Sequence, residues 1–241
     1  MRTLQTSQRF IGVSAALFIG SAALTIAWSS AHDMPMCSVR SFSGQTLPSH
    51  AFEFLAMWLM MSTAMMLPSL LPSLWRYRRS VAAATAAQLD ALTMCVGLGY
   101  FFAWMAAGVL AFAASDLIDA QRRDVPMLTG AIVLIAGVLQ FGAWKARHLA
   151  CCRAAPKCCE TLHATAQSAW RHGVRLGWHC VHCCFGLTVA LLAIGMMDLR
   201  AMALVTIAIS AERLAPNAQR VARFIGVVLI AMGALMIAHA S

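Results

Sequence analysis

Residues His179-Cys180-Val181-His182-Cys183-Cys184 place five soft or borderline metal ligands in six consecutive positions, at the mouth of an apolar run. Thiolate sulfur and imidazole nitrogen suit Cu(I) and Zn(II), whereas hard cations prefer oxygen. On a helix, side chains three or four apart share a face. His179 and Cys183, Cys180 and Cys184, and His179 and His182 have those spacings. The pattern predicts that His179, His182 and Cys183 converge, with Cys180 and Cys184 beside them. A single cysteine here would read as a small apolar packing residue. Three cysteines with two histidines read as a metal site.

Three further clusters carry similar chemistry. Met57, Met61 and Met65 follow i, i+4, i+8 spacing, with Met60 and Met66 alongside. Thioethers favour Cu(I), although methionine is also a flexible core filler. Pro68 and Pro72 imply a kink in this segment, whose freed backbone groups would find partners in Ser62, Thr63 or Ser69. The run His148, Cys151, Cys152, Cys158, Cys159, His163 pairs thiols five residues apart with a histidine on each flank. It matches no zinc-finger spacing, and palmitoylated or simply reduced loop thiols are its rival readings. His32, Met34, Met36 and Cys37 form the last cluster, suited to copper capture.

The elements that must position these residues follow from composition. The chain has 241 residues, 61% hydrophobic and 11% charged, and a mean hydropathy of +0.73. Soluble domains carry about 25% charged residues. The expected fold is all-α: a single integral membrane domain over 1–241, a polytopic transmembrane helix bundle of about seven spans. The spans are about 10–28, 54–75, 88–113, 127–144, 180–197, 199–214 and 221–239, each near the roughly 20 residues a bilayer core requires. Asp198 alone separates the fifth from the sixth, which predicts a tight hairpin. The segment 145–178 is expected to be a cytoplasmic Cys/His loop.

Orientation follows from the basic residues. With the N-terminus cytoplasmic, 14 of the 18 Lys and Arg fall on inside segments, which accounts for most of the net charge of +9 without invoking nucleic acid. The inside arginines also suit anionic lipid. Seven of the nine cysteines then lie on or beside the cytoplasmic side, where thiols stay reduced. Ser29-Ser30-Ala31 would suit signal-peptide cleavage, but the preceding apolar run exceeds the usual length, so an uncleaved first helix is expected. The chain reads as a multi-pass protein of a bacterial-type inner membrane.

Soft ligands then recur at several depths, from His32 outside to Cys158 inside, which permits a relay. Asp90 and Glu212 sit near the inner ends of spans and are expected to reach the interface. Gly97, Gly99, Gly108, Gly137 and Gly142 allow close helix packing, within the chain or in a homo-oligomer.

Three blocks resemble a domain-of-unknown-function family of predicted metal-binding integral membrane proteins, some members of which are described as copper chaperones. They are the Met-rich segment from Met57 to Pro72, the segment from Gln140 to Pro156, and Gly173 to Leu214 with its Cys-x-x-Cys-Cys element and Glu212-Arg213. Departures occur at His148, where the family pattern has Cys, and at His182, where it has Gly. Phe185 replaces Trp, and Thr188 replaces Met. The resemblance implies metal binding and leaves transport, delivery and sensing open.

The preferred function is Cu(I) binding through Met, Cys and His and its delivery to or from a partner protein. Zinc is the alternative ion. No Gly-Lys-Ser/Thr phosphate loop, Asp-Lys-Thr phosphorylation motif or HExxH motif occurs. A membrane metalloenzyme would need an open coordination position and a nearby base, and the candidates Asp198 and Glu212 are distant in sequence from the cysteines. The third reading is a structural or partner-binding membrane subunit with Cys and Met as packing.

Overall fold

The computed structural model describes residues 12, 15–27, 47–81, 85–122, 126–154, 164–195 and 198–240. Among them there is no strand. A short apolar helix, α1, spans Ala15–Ala27. It is followed by α2 Leu47–Ser80, α3 Ala86–Arg122, α4 Pro126–Leu139, α5 Ala143–Ala154, α6 Ala166–Ile194, α7 Leu199–Leu214 and α8 Ala218–Ala240.

Four helices among the described residues are long and apolar enough to cross a membrane: the segments Ala51–Ser80, Ala86–Ala114, Ala166–Ile194 and Ala218–His239. A fifth arises if α4 and α5 count as one broken span. The expectation of seven is thus met only in part among the described residues. The predicted span 127–144 is interrupted by a 64° bend. Backbone bonds Gln140 N→Gly137 O, Phe141 N→Val138 O and Gly142 N→Leu139 O, at 3.1–3.2 Å, tighten the end of α4 into i→i+3 geometry before the chain turns. The predicted span 199–214 is a helix of 16 residues. At 1.5 Å per residue it falls short of a hydrocarbon core of about 30 Å. The predicted first span, 10–28, is described only in part, as α1 over Ala15–Ala27.

The expected loop over 145–178 is mostly helix. α5 takes its first part, and α6 begins at Ala166, capped by Thr165, whose side chain accepts from the Ser168 N–H. The sequence boundary failed because Arg171, His172 and Arg175 interrupt the apolar run. His172 is nevertheless buried, with its ring stacked on Tyr77 at 5.4 Å. Cys180 is therefore the middle residue of the 29-residue α6, not a residue at its mouth. The hairpin after α6 is as expected: Gly195 takes a positive φ of 137°, and Asp198 caps α7 by accepting from the Arg200 and Ala201 N–H groups.

Small residues set how closely the helices approach. A Cβ added at Gly177 would lie 2.6 Å from the Tyr100 carbonyl, and one at Gly99 would lie 2.7 Å from that of Trp170. A Cβ at Gly173 would overlap the Val96 carbonyl. These glycines bring α3 and α6 to backbone contact. Gly130 and Gly137 do the same for α4 against Gly233 and Gly226 of α8. At Gly108 a Cβ would strike the Trp58 indole, 2.5 Å away, and that indole donates to the Trp104 carbonyl at 2.9 Å. Gly97 faces open space, so it packs against no helix of its own chain among the described residues.

Candidate metal centre

Cys180, Cys183 and Cys184 are all buried, and their sulfurs lie within 4.8 Å of one another. Cys183 Sγ is 3.6 Å from Cys184 Sγ, and Cys180 Sγ is 3.9 Å from Cys184 Sγ. Two other helices extend the group. Cys152 of α5 brings its Sγ to 3.9 Å from Cys183, and Met66 of α2 brings its thioether to 3.9 Å from Cys180. With a metal–sulfur bond of about 2.3 Å, two ligands of one ion stand about 3.8 Å apart in tetrahedral and about 4.0 Å apart in trigonal geometry. The Cys183–Cys184 and Cys180–Cys184 spacings match those edges.

Burial of the cluster follows from the apolar face of α6. Leu176, Leu187, Ala190 and Leu191 share the buried side with the three cysteines. Within the cluster, Cys183 Sγ donates to the Cys180 carbonyl at 3.3 Å. Thr188 spends its hydroxyl on the Cys184 carbonyl at 3.1 Å, so it adds no ligand.

Two polar groups outside the predicted ligand set touch the same sulfur. Tyr100 of α3 donates its phenol to Cys180 Sγ at 3.0 Å. Arg213 of α7 reaches Cys180 Sγ at 3.4 Å and Ser69 Oγ at 2.8 Å through Nη1. Its Nη2 is buried and has no hydrogen-bond partner among the described residues. A guanidinium buried beside thiols supplies positive charge where thiolate ligation would leave negative charge. The available signal was an arginine inside an apolar segment, since ionisable residues there mark sites or pairs.

Glu212 also departs from expectation. It does not reach an interface: it is 1% exposed and pairs with Lys145 Nζ at 2.8 Å. Lys145 also donates to Gln140 Oε1, so a single ammonium staples the α4–α5 break to α7. Arg153 holds the end of α7 from the other side, donating to the carbonyls of Glu212, Ala215 and Pro216. These contacts fix α5, and with it Cys152, against the cluster. Asp90 remains mostly exposed and pairs with Arg78 at 2.7 Å.

The histidines do not join the thiols as predicted. His179 and His182 are half-buried and meet His148 of α5 instead. His148 Nδ1 lies 3.0 Å from His179 Nδ1, and the His148 and His182 rings stack at 4.9 Å. His182 Nδ1 is engaged with the Trp178 carbonyl at 2.8 Å. The opening hexapeptide thus divides between a buried thiol face and an imidazole face.

Of the methionines, Met61, Met65 and Met66 are buried, while Met57 and Met60 are half-buried. Met66, beside the predicted stripe rather than on it, makes the thiol contact. Thr63 and Ser69 turn their hydroxyls onto the Leu59 and Met66 carbonyls, while Ser62 Oγ has no partner among the described residues. Cys151 is half-buried on α5. Cys158, Cys159 and His163 lie outside the described residues, as do His32, Met34, Met36 and Cys37.

Among curated proteins and among solved structures, none matches the chain. A family model does: residues 55–236 match PpoB2, copper chaperone. That stretch holds every residue of the sulfur cluster, and the chain belongs to this copper-chaperone family.

Proposed function

We propose that the chain is an integral membrane copper chaperone that binds Cu(I) at Cys180, Cys183 and Cys184, with Cys152 and Met66 completing the ligand set. The observation that carries the reading is the convergence of three buried thiols within 4.8 Å. The Met66 thioether beside the thiols favours Cu(I), because thioethers are soft ligands and zinc sites are built from thiolate, imidazole and carboxylate. Copper is cargo here. Three thiolates and one Cu(I) carry a net charge of −2, and the guanidinium of Arg213 offsets half of it in a site where uncompensated charge is costly. The neutral thioether of Met66 then adds a ligand without adding charge.

Membrane embedding is supported by four long apolar helices and by their outer surfaces. Leu110 and Phe224 are each 70% exposed, Leu204 68% and Leu235 61%. Such broad apolar exposure is rare on soluble monomers and suits lipid. In this reading the chain is one integral domain of a bacterial-type inner membrane, with the N-terminus cytoplasmic, and it exchanges copper with a donor or acceptor protein.

The test is metal analysis of anaerobically purified protein in detergent, with Cu(I) affinity measured against a colorimetric chelator. About one tightly held Cu(I) per chain is expected for the wild type, and none for Cys183→Ser/Cys184→Ser. Undiminished binding by the double variant would overturn the assignment.

A further inference from the structure

α5 and α6 carry the same two ligands in the same order at the same spacing. On α5, His148 precedes Cys152 by four residues. On α6, His179 precedes Cys183 by four residues. Residues four apart on a helix stand one above the other on one face. The two helices are in register: His148 Nδ1 meets His179 Nδ1 at 3.0 Å, and Cys152 Sγ meets Cys183 Sγ at 3.9 Å. The result is a two-rung ladder, with an imidazole rung and a thiol rung about 6 Å apart along the helices.

The rungs differ in exposure. Cys152 and Cys183 are each 2% exposed, whereas His148 and His179 are half-buried. Indoles flank the imidazoles. Trp144 packs edge-on to His148 at 4.9 Å and to His182 at 5.3 Å. Trp178 covers His182 at 4.5 Å. Trp144 and Trp178 are themselves 44% and 54% exposed, which suits residues at the boundary between lipid and water.

We propose that His148 and His179 form a second, weaker copper site, a loading station from which Cu(I) passes to Cys152 and Cys183, with the His182 ring held beside it. The inference rests on the thiol cluster being the tight Cu(I) site. Imidazole is the less soft ligand, so transfer toward thiolate runs downhill. Copper stays Cu(I) throughout and no oxidant is needed. Two Cu–N bonds break and two Cu–S bonds form. The two thiols release their protons, which leave to solvent past the half-buried imidazole rung. Beyond the thiol rung, sulfur contacts continue from Cys183 to Cys184, Cys180 and Met66 in steps of 3.6–3.9 Å.

The experiment compares wild type with His148→Ala/His179→Ala, both purified anaerobically in detergent and mixed with Cu(I) in a stopped-flow instrument. Thiolate-to-copper charge-transfer absorption reports loading, and equilibrium chelator competition reports final stoichiometry. The expected result is a variant that reaches the wild-type content of tight Cu(I) but loads at least about tenfold more slowly. At higher free Cu(I), wild type takes up a second, weaker ion with nitrogen ligands by X-ray absorption, and the variant does not. An unchanged loading rate overturns the station. A variant with less tight Cu(I) at equilibrium also overturns it, because the imidazoles would then belong to one common site. A wild type with no tight Cu(I) overturns the thiol assignment as well, which separates the two failures.

Discussion

Arg213 donates from Nη1 to the sulfur of Cys180 across 3.4 Å, joining α7 to the centre of α6. The contact brings a buried positive charge to the one thiol that also receives the Tyr100 hydroxyl at 3.0 Å. Two donors on one sulfur can stabilise the negative charge that metal ligation would leave there.

Replacing Arg213 by Met keeps much of the volume and removes the charge. A hydrogen bond to a charged group contributes about 1.5–3 kcal/mol. Cu(I) affinity should fall by about ten- to a hundredfold, read by chelator competition, with stoichiometry preserved at saturating copper. Arg213→Lys should recover part of the loss. Equal affinity in wild type and Arg213→Met would show that the guanidinium is only a packing group.

The Lys145–Glu212 pair predicts a different pattern. Breaking a buried ion pair on one side leaves an uncompensated charge and costs about 3–5 kcal/mol. Thermal unfolding in detergent should show Glu212→Gln and Lys145→Met each strongly destabilised. The double variant Lys145→Met/Glu212→Leu should recover most of the loss, since apolar replacement of both partners is often near neutral. Additive losses in the double variant would argue against a coupled pair.

Gly173 and Gly97 lie on opposite sides of the α3–α6 packing question. Gly173→Ala pushes a methyl into the Val96 carbonyl, and overpacking of that kind costs roughly 1–3 kcal/mol. It should also move Tyr100 away from Cys180 and weaken Cu(I) binding. Gly97→Ala meets nothing within 4 Å, and in a helix interior it should stabilise by about 0.5–1 kcal/mol. Thermal unfolding with copper titration separates the two, and a destabilised Gly97→Ala would contradict the geometry.

The all-helical fold and the thiol cluster were legible because they rest on local patterns. Long apolar runs demand internally bonded helices, and Cys180, Cys183 and Cys184 converge through i+3 and i+4 spacing alone. Helix ends were less legible where charge and burial disagree. Arg171 and Arg175 read as loop, yet α6 runs through them while His172 between them packs against Tyr77. The broken segment at Gln140 read as one span because its apolar character continues across the bend.

What no single segment encodes is which faces meet. Spacing predicts that His179 converges with Cys183, but partners on α5 decided that the imidazoles pair with His148 and the thiols with Cys152. Met66, beside the Met57–Met61–Met65 stripe rather than on it, meets Cys180 because α2 presents that side of its turn to α6. Arg213 and Glu212 are adjacent in sequence and point to different partners, one to a thiol and one to Lys145. The sequence by itself determined the ligand chemistry and the helices that carry it. The azimuth of each helix, set by glycine contacts and buried charge pairing between distant segments, was decided only by the tertiary structure.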